Sequence, residues 1–128
     1  MILGIGTDIA GIQRMREVVQ RYGDKLAQRM LAPEELPEYA QARDPATFLT
    51  KRFAAKEAFA KAVGTGMRAP VLLTSIRVVH DALGRPSFDY APELARWLRL
   101  RGMGRAQLSL SDERDYVVAF VLIESLES

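Results

Sequence analysis

The 128-residue sequence has the size and composition of one folded domain, with 48% hydrophobic and 27% charged residues, ordinary values for a globular chain that buries a core. It contains no cysteine and one histidine, His80, which excludes disulfides, a cysteine nucleophile, thiolate zinc sites and multi-histidine metal sites. A formal charge of +2 does not by itself indicate nucleic-acid binding. No apolar run is long enough to cross a bilayer and no basic leader precedes the first strand, so we expect a cytoplasmic protein.

The N-terminal segment, residues 1–9, has the two-residue period of a β-strand. One face is mostly apolar, whereas the other carries Gly4, Gly6 and Asp8. Glycines within a strand often mark the close approach of another backbone or of a ligand. Two roles remain open for Asp8: a functional carboxylate on this bare face, or a cap for the helix that follows.

Three helices are predicted next, at residues 12–22, 24–31 and 34–42. The outer face of the first is basic and includes Arg14 and Arg21. Such a face usually serves solubility, but it also suits the docking of an acidic protein.

The segment 48–63 predicts the central helix of the fold, ended by Gly64 and Gly66. Its apolar side chains cover most of the helix circumference, which is typical of a buried helix. Yet it carries charged residues at helical spacing, Arg52 with Lys56 and Glu57 with Lys61. Either these charges extend from a core to water, or they bind a phosphate-bearing ligand and a metal.

The second half of the chain predicts an antiparallel sheet. We expect strands at 75–80, 87–90, 108–110 and 116–123 and a helix at 92–100. The nearly continuous apolar run of the last strand is typical of a strand buried on both faces. The whole pattern predicts one α+β domain over residues 1–128, with a mostly antiparallel sheet and a long buried central helix.

Three segments together resemble the holo-acyl-carrier-protein synthase family, the small single-domain type of 4′-phosphopantetheinyl transferase. They are Gly4-Ile-Gly-Thr-Asp-Ile9, Arg52-Phe-Ala-Ala-Lys-Glu-Ala58 running on to Gly64-Thr-Gly66, and Leu108-Ser-Leu-Ser-Asp-Glu-Arg-Asp-Tyr116. The resemblance covers nearly the whole chain, and its second segment is the most specific.

The resemblance implies an enzyme of fatty acid biosynthesis that transfers phosphopantetheine from coenzyme A to a serine of apo-acyl carrier protein, releasing adenosine 3′,5′-bisphosphate. It further implies that Asp8 and Glu57 are catalytic and hold Mg²⁺ at the coenzyme pyrophosphate, which agrees with the preference of magnesium for a few carboxylates, phosphate oxygens and water. Glu57 is also a candidate base for the serine proton, directly or through a metal-bound water, and this choice stays open.

The resemblance also assigns residues to coenzyme A and to partners. Arg52, Lys56 and Lys61 would contact its phosphates, Gly64 and Gly66 would let the backbone pass close to it, and Arg85 and Pro86 would line its adenosine side. The first helix would dock the acidic carrier protein through Arg14 and Arg21. The family further implies a homotrimer with active sites between subunits.

Asp112 departs from a common form of the family pattern, in which a histidine follows the Ser-x-Ser of the penultimate strand. A carboxylate cannot donate to a phosphate as an imidazolium does, so a phosphate-binding role for this position is not carried over from the resemblance.

Two other classes of function are weighed against the transferase. A non-catalytic coenzyme A or nucleotide-binding protein would keep the phosphate contacts but would not need both Asp8 and Glu57. A nucleic-acid-binding module would use the basic first helix, but the balanced charge and few aromatic residues argue against it. We therefore expect no nucleic-acid or membrane partner.

Overall fold

The fold contains five α-helices and five β-strands within residues 1–126, which are the residues that the computed structural model describes. In chain order these are β1 Ile2–Gly11, α1 Ile12–Tyr22, α2 Asp24–Met30, α3 Leu36–Ala40, α4 Pro45–Val63, β2 Ile76–His80, β3 Pro86–Tyr90, α5 Pro92–Leu100, β4 Met103–Asp112 and β5 Tyr116–Ser125. Short 3₁₀ helices lie at Pro33–Glu35 and Leu73–Ser75.

The strands form two antiparallel sheets. The larger has the order β1-β5-β4, and the smaller pairs β2 with β3. Helix α4 packs against one face of the larger sheet through the buried side chains of β5. This arrangement confirms the predicted α+β fold with an antiparallel sheet and a buried central helix.

Helix α4 is defined at both ends by local sequence signals. The Asp44 side chain accepts a hydrogen bond from the Thr47 amide, Pro45 occupies the first turn, and Gly64 ends the helix with a φ of 92°. The helix therefore begins three residues before the predicted start at Phe48, because Asp44 is its N-cap and Pro45 its first residue. Buried residues occur all around the helix, as the sequence predicts.

Two glycines of β1 allow the strand to lie directly on α4. A Cβ atom on Gly4 would lie 1.9 Å from the Ala62 carbonyl oxygen, and one on Gly6 would lie 2.1 Å from that of Ala58. The close approach predicted for this face is thus made by another backbone. The contact fixes the strand on the helix and brings Asp8, on the same face, to the α4 side of the sheet.

The prediction that β5 is buried on both faces is wrong for the single chain. Val117, Ala119 and Val121 are fully buried against α4, but the alternating Val118 and Phe120 remain exposed. The sequence pattern records that both faces are apolar, whereas the fold of one chain covers only one of them.

Other differences concern element boundaries. Strand β4 begins at Met103 instead of Leu108, because its polar residues still pair with β5 along the edge of the sheet. The helix predicted over 34–42 is split into a 3₁₀ turn and the shorter α3. Helix α5 has the bounds predicted for it.

Candidate active site

Two carboxylates from separate elements line one cavity. Asp8 comes from β1 and Glu57 from the middle of α4, and both border a cavity of about 460 Å³ that also contains Arg14 of α1. Apolar side chains complete its wall, among them Met15 and Phe53. Arg14 and Glu57 are 43 positions apart in the sequence, and Asp8 is farther still from Glu57. The fold nevertheless brings all three residues to this cavity.

The Asp8 carboxylate has a cationic neighbour on α4. Lys61 Nζ lies 3.1 Å from Asp8 Oδ1 and also donates to the Thr7 carbonyl oxygen at 2.9 Å. Asp8 does not cap the helix that follows, because the N-cap of α1 is Gly11 and has no side-chain hydrogen bond. The alternative structural role considered for Asp8 is therefore excluded.

The environment of Glu57 opposes its ionisation. Burial raises the pKa of Glu57 above its ordinary value, the negative charge of Asp8 raises it further, and Lys61 partly offsets both effects. Because the charge of Asp8 acts on Glu57, a cation bound between the two carboxylates would be favoured.

The donor set around this cavity suits magnesium better than a transition metal. Within residues 1–126 no group of three or more histidine, cysteine, aspartate or glutamate side chains is arranged to hold a metal. A site with two carboxylates leaves most of the coordination shell to water and to ligand phosphates, as Mg²⁺ prefers. The residues present therefore fit a magnesium ion shared with a phosphate ligand.

Arg52 lies in a different cavity, of about 360 Å³, together with Lys51, Arg43 and His80. Its guanidinium donates to Glu38 Oε2 at 3.1 Å and stacks on the Phe48 ring, 4.3 Å from the centroid. Its Nε, although buried, makes no hydrogen bond within the described part of the chain. The cavity is thus rich in cationic groups, whereas the Arg52 Nε faces the buried Glu35, 3.6 Å from its Oε2.

Lys56 is placed where it cannot contact a ligand in this conformation. Its side chain is fully buried, and its ammonium donates to Glu35 Oε1 at 2.5 Å and to the carbonyl oxygens of Met30 and Leu73 at 2.9 Å each. These three bonds use all three donors of the ammonium. The structure therefore separates Lys56 from the phosphate contacts proposed for it, because a buried carboxylate and two carbonyls already hold it.

The other residues assigned to coenzyme A lie near the surface. Gly64 and Gly66 have positive φ angles of 92° and 64° in the loop after α4, a conformation that favours glycine. Arg85 and Pro86 border a third cavity, of about 170 Å³, between the β2–β3 turn and β4. Arg85 donates to Gln107 of β4 at 3.4 Å. In one chain, the assigned residues are thus distributed over three cavities.

Helix α1 presents the basic face that its sequence predicts. Arg14 and Arg21 are exposed, whereas the neighbouring Arg16 forms a bidentate ion pair with Asp44 at the start of α4. A further cavity of about 370 Å³ adjoins the carboxylate cavity between α1 and α2, where Lys25 and Arg29 stand beside apolar side chains. The face combines positive charge with an apolar groove.

Asp112, the position that departs from the family pattern, pairs with a residue of the central helix. Its Oδ1 lies 3.5 Å from Lys51 Nζ, and both side chains are partly exposed. An acidic residue here thus has a cationic partner that a histidine would not pair with in the same way. Sequence alone does not reveal this pair, because the two residues are 61 positions apart.

Comparison with known proteins first defines the class. A sequence profile of the 4′-phosphopantetheinyl transferase superfamily matches residues 4–121. A holo-(acyl-carrier-protein) synthase of Laribacter hongkongensis is 56% identical over 124 residues, which cover 97% of this chain and 99% of that protein. A synthase of the same name from Neisseria meningitidis is 53% identical over 124 residues, with coverage of 97% and 99%. The sequence comparisons therefore define a phosphopantetheinyl transferase.

Solved structures narrow the class further. The crystal structure of the Neisseria meningitidis holo-(acyl-carrier-protein) synthase has a TM-score of 0.95 at 53% identity and covers 98% of this chain and 100% of that chain. A synthase from Bacillus anthracis in complex with CoA (3′,5′-ADP) has a TM-score of 0.82 at 32% identity, covering 98% of each chain. The chain belongs to the holo-(acyl-carrier-protein) synthase family.

None of the helices described between residues 1 and 126 is long and apolar enough to pass through a membrane.

Proposed function

We propose that the chain transfers 4′-phosphopantetheine from coenzyme A to a serine of an apo-acyl carrier protein, with Mg²⁺ as cofactor, in fatty acid biosynthesis. One observation carries this proposal: Asp8, Glu57 and Arg14 line the same cavity. A metal-binding carboxylate pair and the first residue of a basic docking face are thereby adjacent, as a reaction between a pyrophosphate and an acidic protein requires.

The reaction is a phosphoryl transfer. The serine hydroxyl oxygen forms a bond to the phosphorus that carries pantetheine, the pyrophosphate P–O bond breaks, and adenosine 3′,5′-bisphosphate leaves with the bond electrons. Asp8 and Glu57 would hold Mg²⁺ against the pyrophosphate, and the bound ion supplies positive charge that offsets the developing charge on the leaving phosphate.

Two side chains on one side of α4 have separate tasks in this proposal. Glu57 is the proposed acceptor of the serine proton, because it borders the same cavity as Asp8 and Arg14. Lys61 neutralises Asp8 in the free protein and turns to a phosphate oxygen when coenzyme A is bound. Glu57 lines the same cavity as Asp8, and Lys61 contacts Asp8.

The coenzyme phosphates extend the site beyond this cavity. Arg52 is proposed as a phosphate contact, supported by its place among the cationic side chains that line its cavity. Gly64, Gly66, Arg85 and Pro86 are proposed along the rest of the coenzyme. Lys56 is left out of this group because its ammonium is already fully bonded.

A homotrimer with active sites between subunits is part of the proposal. Support comes from the outer face of the β1–β5 ladder, where Ile5, Ile9, Val118 and Phe120 form an exposed apolar surface next to the carboxylate cavity. Assembly would cover this surface and would bring the separate coenzyme-binding cavities of neighbouring chains together.

The carrier protein is proposed to dock on α1. Arg14 and Arg21 are exposed and unpaired with acids among the salt bridges of residues 1–126, and the adjoining groove adds Lys25 and Arg29. Such a surface attracts an acidic partner and orients its serine toward Glu57. A cytoplasmic location is proposed with it, consistent with a chain that has no cysteine.

The test is the intact mass of an apo-acyl carrier protein after incubation with this protein, coenzyme A and Mg²⁺. We expect a gain of one phosphopantetheine group, with adenosine 3′,5′-bisphosphate released in equal amount, and no gain in EDTA. Binding of coenzyme A without any mass gain would instead support a non-catalytic coenzyme A-binding protein.

A further inference from the structure

Glu35 is a fully buried carboxylate in the 3₁₀ turn before α3. Its Oε1 accepts the Ala32 amide at 2.9 Å and its Oε2 accepts the Val78 amide of β2 at 3.0 Å. An ionised carboxylate without cationic partners would be very costly at such a place. Glu35 therefore depends on nearby cationic side chains.

Both cationic partners of Glu35 come from α4, one helical turn apart. Lys56 Nζ donates to Oε1 at 2.5 Å, and Arg52 Nε lies 3.6 Å from Oε2. Lys56 is the residue directly before Glu57, and Arg52 lines the cationic cavity described above. A single carboxylate thus contacts two successive turns of the helix that carries the proposed site residues.

Helix α4 is consequently fixed on two sides. On one side the glycines of β1 hold it within backbone contact of the strand that carries Asp8. On another side Lys56 is bonded to Glu35, to the end of α2 at Met30 and to the 3₁₀ turn at Leu73. A rotation of α4 that moved Glu57 away from Asp8 would have to break these buried charge-assisted bonds.

Stability alone does not explain this network. A buried ion pair is often no more stabilising than apolar residues of similar volume, because desolvation offsets the attraction. Satisfied buried networks instead select one arrangement of the elements that they connect. Here the connected elements are the ones that carry the carboxylate pair and Arg52.

We propose that Glu35 is a positioning residue of the transferase: it holds Arg52 in the coenzyme phosphate cavity and, through Lys56, holds Glu57 toward Asp8. The proposal rests on the proposed function for its readout. It assigns Lys56 an indirect role, because the ammonium acts on the helix and not on coenzyme A.

The test compares Glu35→Gln with the wild type in two measurements on the full-length protein. The first is calorimetric binding of coenzyme A in EDTA, and the second is the turnover number for carrier-protein modification at saturating substrates. We expect weaker coenzyme A binding and lower turnover, each by roughly tenfold, the order of a lost charge-assisted hydrogen bond.

Leu98→Ala is the matched control for a purely structural effect. Leu98 is buried in the main core on α5 and belongs to none of the site cavities, and its truncation is expected to lower stability by a comparable amount. Per folded molecule, we expect binding and turnover of this variant to stay within about twofold of the wild type. Equal losses in both variants, or wild-type values in Glu35→Gln, would overturn the proposal.

Lys56→Met separates positioning from direct ligand contact. We expect it to lower turnover while coenzyme A binding in EDTA stays within about twofold of wild type. We expect the Glu35→Gln/Lys56→Met double variant to resemble Glu35→Gln, because both substitutions break the same Glu35–Lys56 ion pair. A loss of coenzyme A affinity in Lys56→Met that adds fully to that of Glu35→Gln would show that Lys56 contacts the coenzyme, which overturns the proposal.

Two further outcomes are distinguished. If Glu35→Gln does not fold, Glu35→Asp takes its place, because it keeps the charge and withdraws the carboxylate by one methylene; wild-type turnover of that variant would contradict positioning. If the wild type itself modifies no carrier protein, the proposed function fails, whereas active wild type with unaffected Glu35 variants refutes only the role of Glu35.

Discussion

The proposed chemistry depends on two side chains, Asp8 and Glu57. They approach one cavity from different elements, so a cation held between them would link metal binding to coenzyme A binding. We expect Mg²⁺ to strengthen coenzyme A binding by the wild type relative to EDTA, and we expect Asp8→Asn and Glu57→Gln to remove this gain. Calorimetry checks it, with Glu93→Gln on the exposed face of α5 as control; a variant that keeps the gain would remove its residue from the metal site.

The raised pKa of Glu57 predicts how the stability of the protein depends on pH. Burial, followed by the charge of Asp8, raises the pKa of Glu57 above its ordinary value of 4.5 in the folded protein. The folded state therefore binds this proton more tightly than the unfolded state, and ionised Glu57 lowers stability at neutral pH. In EDTA, Glu57→Gln is expected to melt at a higher temperature than wild type at neutral pH, and the difference is expected to vanish as the pH falls below 4.5.

Thermal melts across this pH range check the prediction. Glu93→Gln again serves as control, because its exposed carboxylate is expected to show no such trend. A wild type that melts at or above the temperature of Glu57→Gln at neutral pH would contradict the effect of burial on Glu57.

The sequence identifies individual site residues only where they belong to a local motif. Asp8 and Glu57 lie in recognisable segments, and the structure brings both to one cavity. Glu35 was not predicted, because its partners Lys56 and Val78 are 21 and 43 positions away. Lys56 was assigned to coenzyme A by the family resemblance, and neither that resemblance nor helical spacing reveals that a buried carboxylate meets this residue.

The contact between β1 and α4 is the decisive one among the elements. Gly6→Ala would place a Cβ 2.1 Å from the Ala58 carbonyl oxygen, so the strand and helix must separate. We expect a loss of about 1–3 kcal/mol in the free energy of unfolding, measured by urea denaturation, together with loss of transfer because Asp8 moves away from Glu57.

Gly11→Ala is the matched control for this prediction. Gly11 lies at the end of the same strand, its φ is −87°, and the nearest atom to an added Cβ is 3.9 Å away. We expect transfer to be retained and stability to fall by less than about 1 kcal/mol, because alanine is a weaker N-cap for α1 than glycine but meets no close backbone atom. Equal behaviour of the two alanine variants would show that the close approach at Gly6 does not hold the site together.

Helix α1 provides a prediction about docking. Arg14→Ala and Arg21→Ala are expected to raise the KM for carrier protein by roughly tenfold together, as the loss of charged contacts to an acidic partner does. The KM for coenzyme A should not change. Arg99→Ala, an exposed arginine on α5, is the control; an unchanged carrier-protein KM in the α1 variants would remove the docking surface.

The element pattern was predictable from sequence where periodicity and caps agree. The apolar periodicity of the sequence predicts helix α5 and the hairpin of β4 and β5. The start of α4 was misplaced only because Asp44 and Pro45 were interpreted as a break before the helix. The split between the 3₁₀ turn and α3 was not predictable, since it depends on Glu35 turning inward to α4 and β2.

The outer face of the large sheet is the main feature of the whole molecule that one chain leaves unexplained. Ile5 is 62% exposed and its neighbours on β5 are apolar. The sequence predicted burial on both faces of β5, and association of chains would provide the missing half. An association of chains through this face would explain why the apolar pattern of β5 exceeds the burial that one chain provides.

We therefore expect the wild type to sediment as a trimer and Ile5→Glu to sediment as a smaller species with reduced transfer, since a charge on this face opposes its burial. Analytical ultracentrifugation measures the change. Leu100→Glu places the same charge on an exposed leucine at the end of α5 and is expected to keep the wild-type size. A monomeric wild type with full activity would contradict an interface-built site.

The Asp8 and Glu57 pair is proposed to perform a Mg²⁺-dependent transfer of phosphopantetheine. The most direct measurement is the intact mass of apo-acyl carrier protein after incubation with coenzyme A and Mg²⁺ and either wild type, Asp8→Asn or Glu57→Gln. We expect one added phosphopantetheine with wild type and a rate at least about 10²-fold lower with either variant. Comparable rates from all three proteins, or a wild-type rate that persists in EDTA, would contradict it.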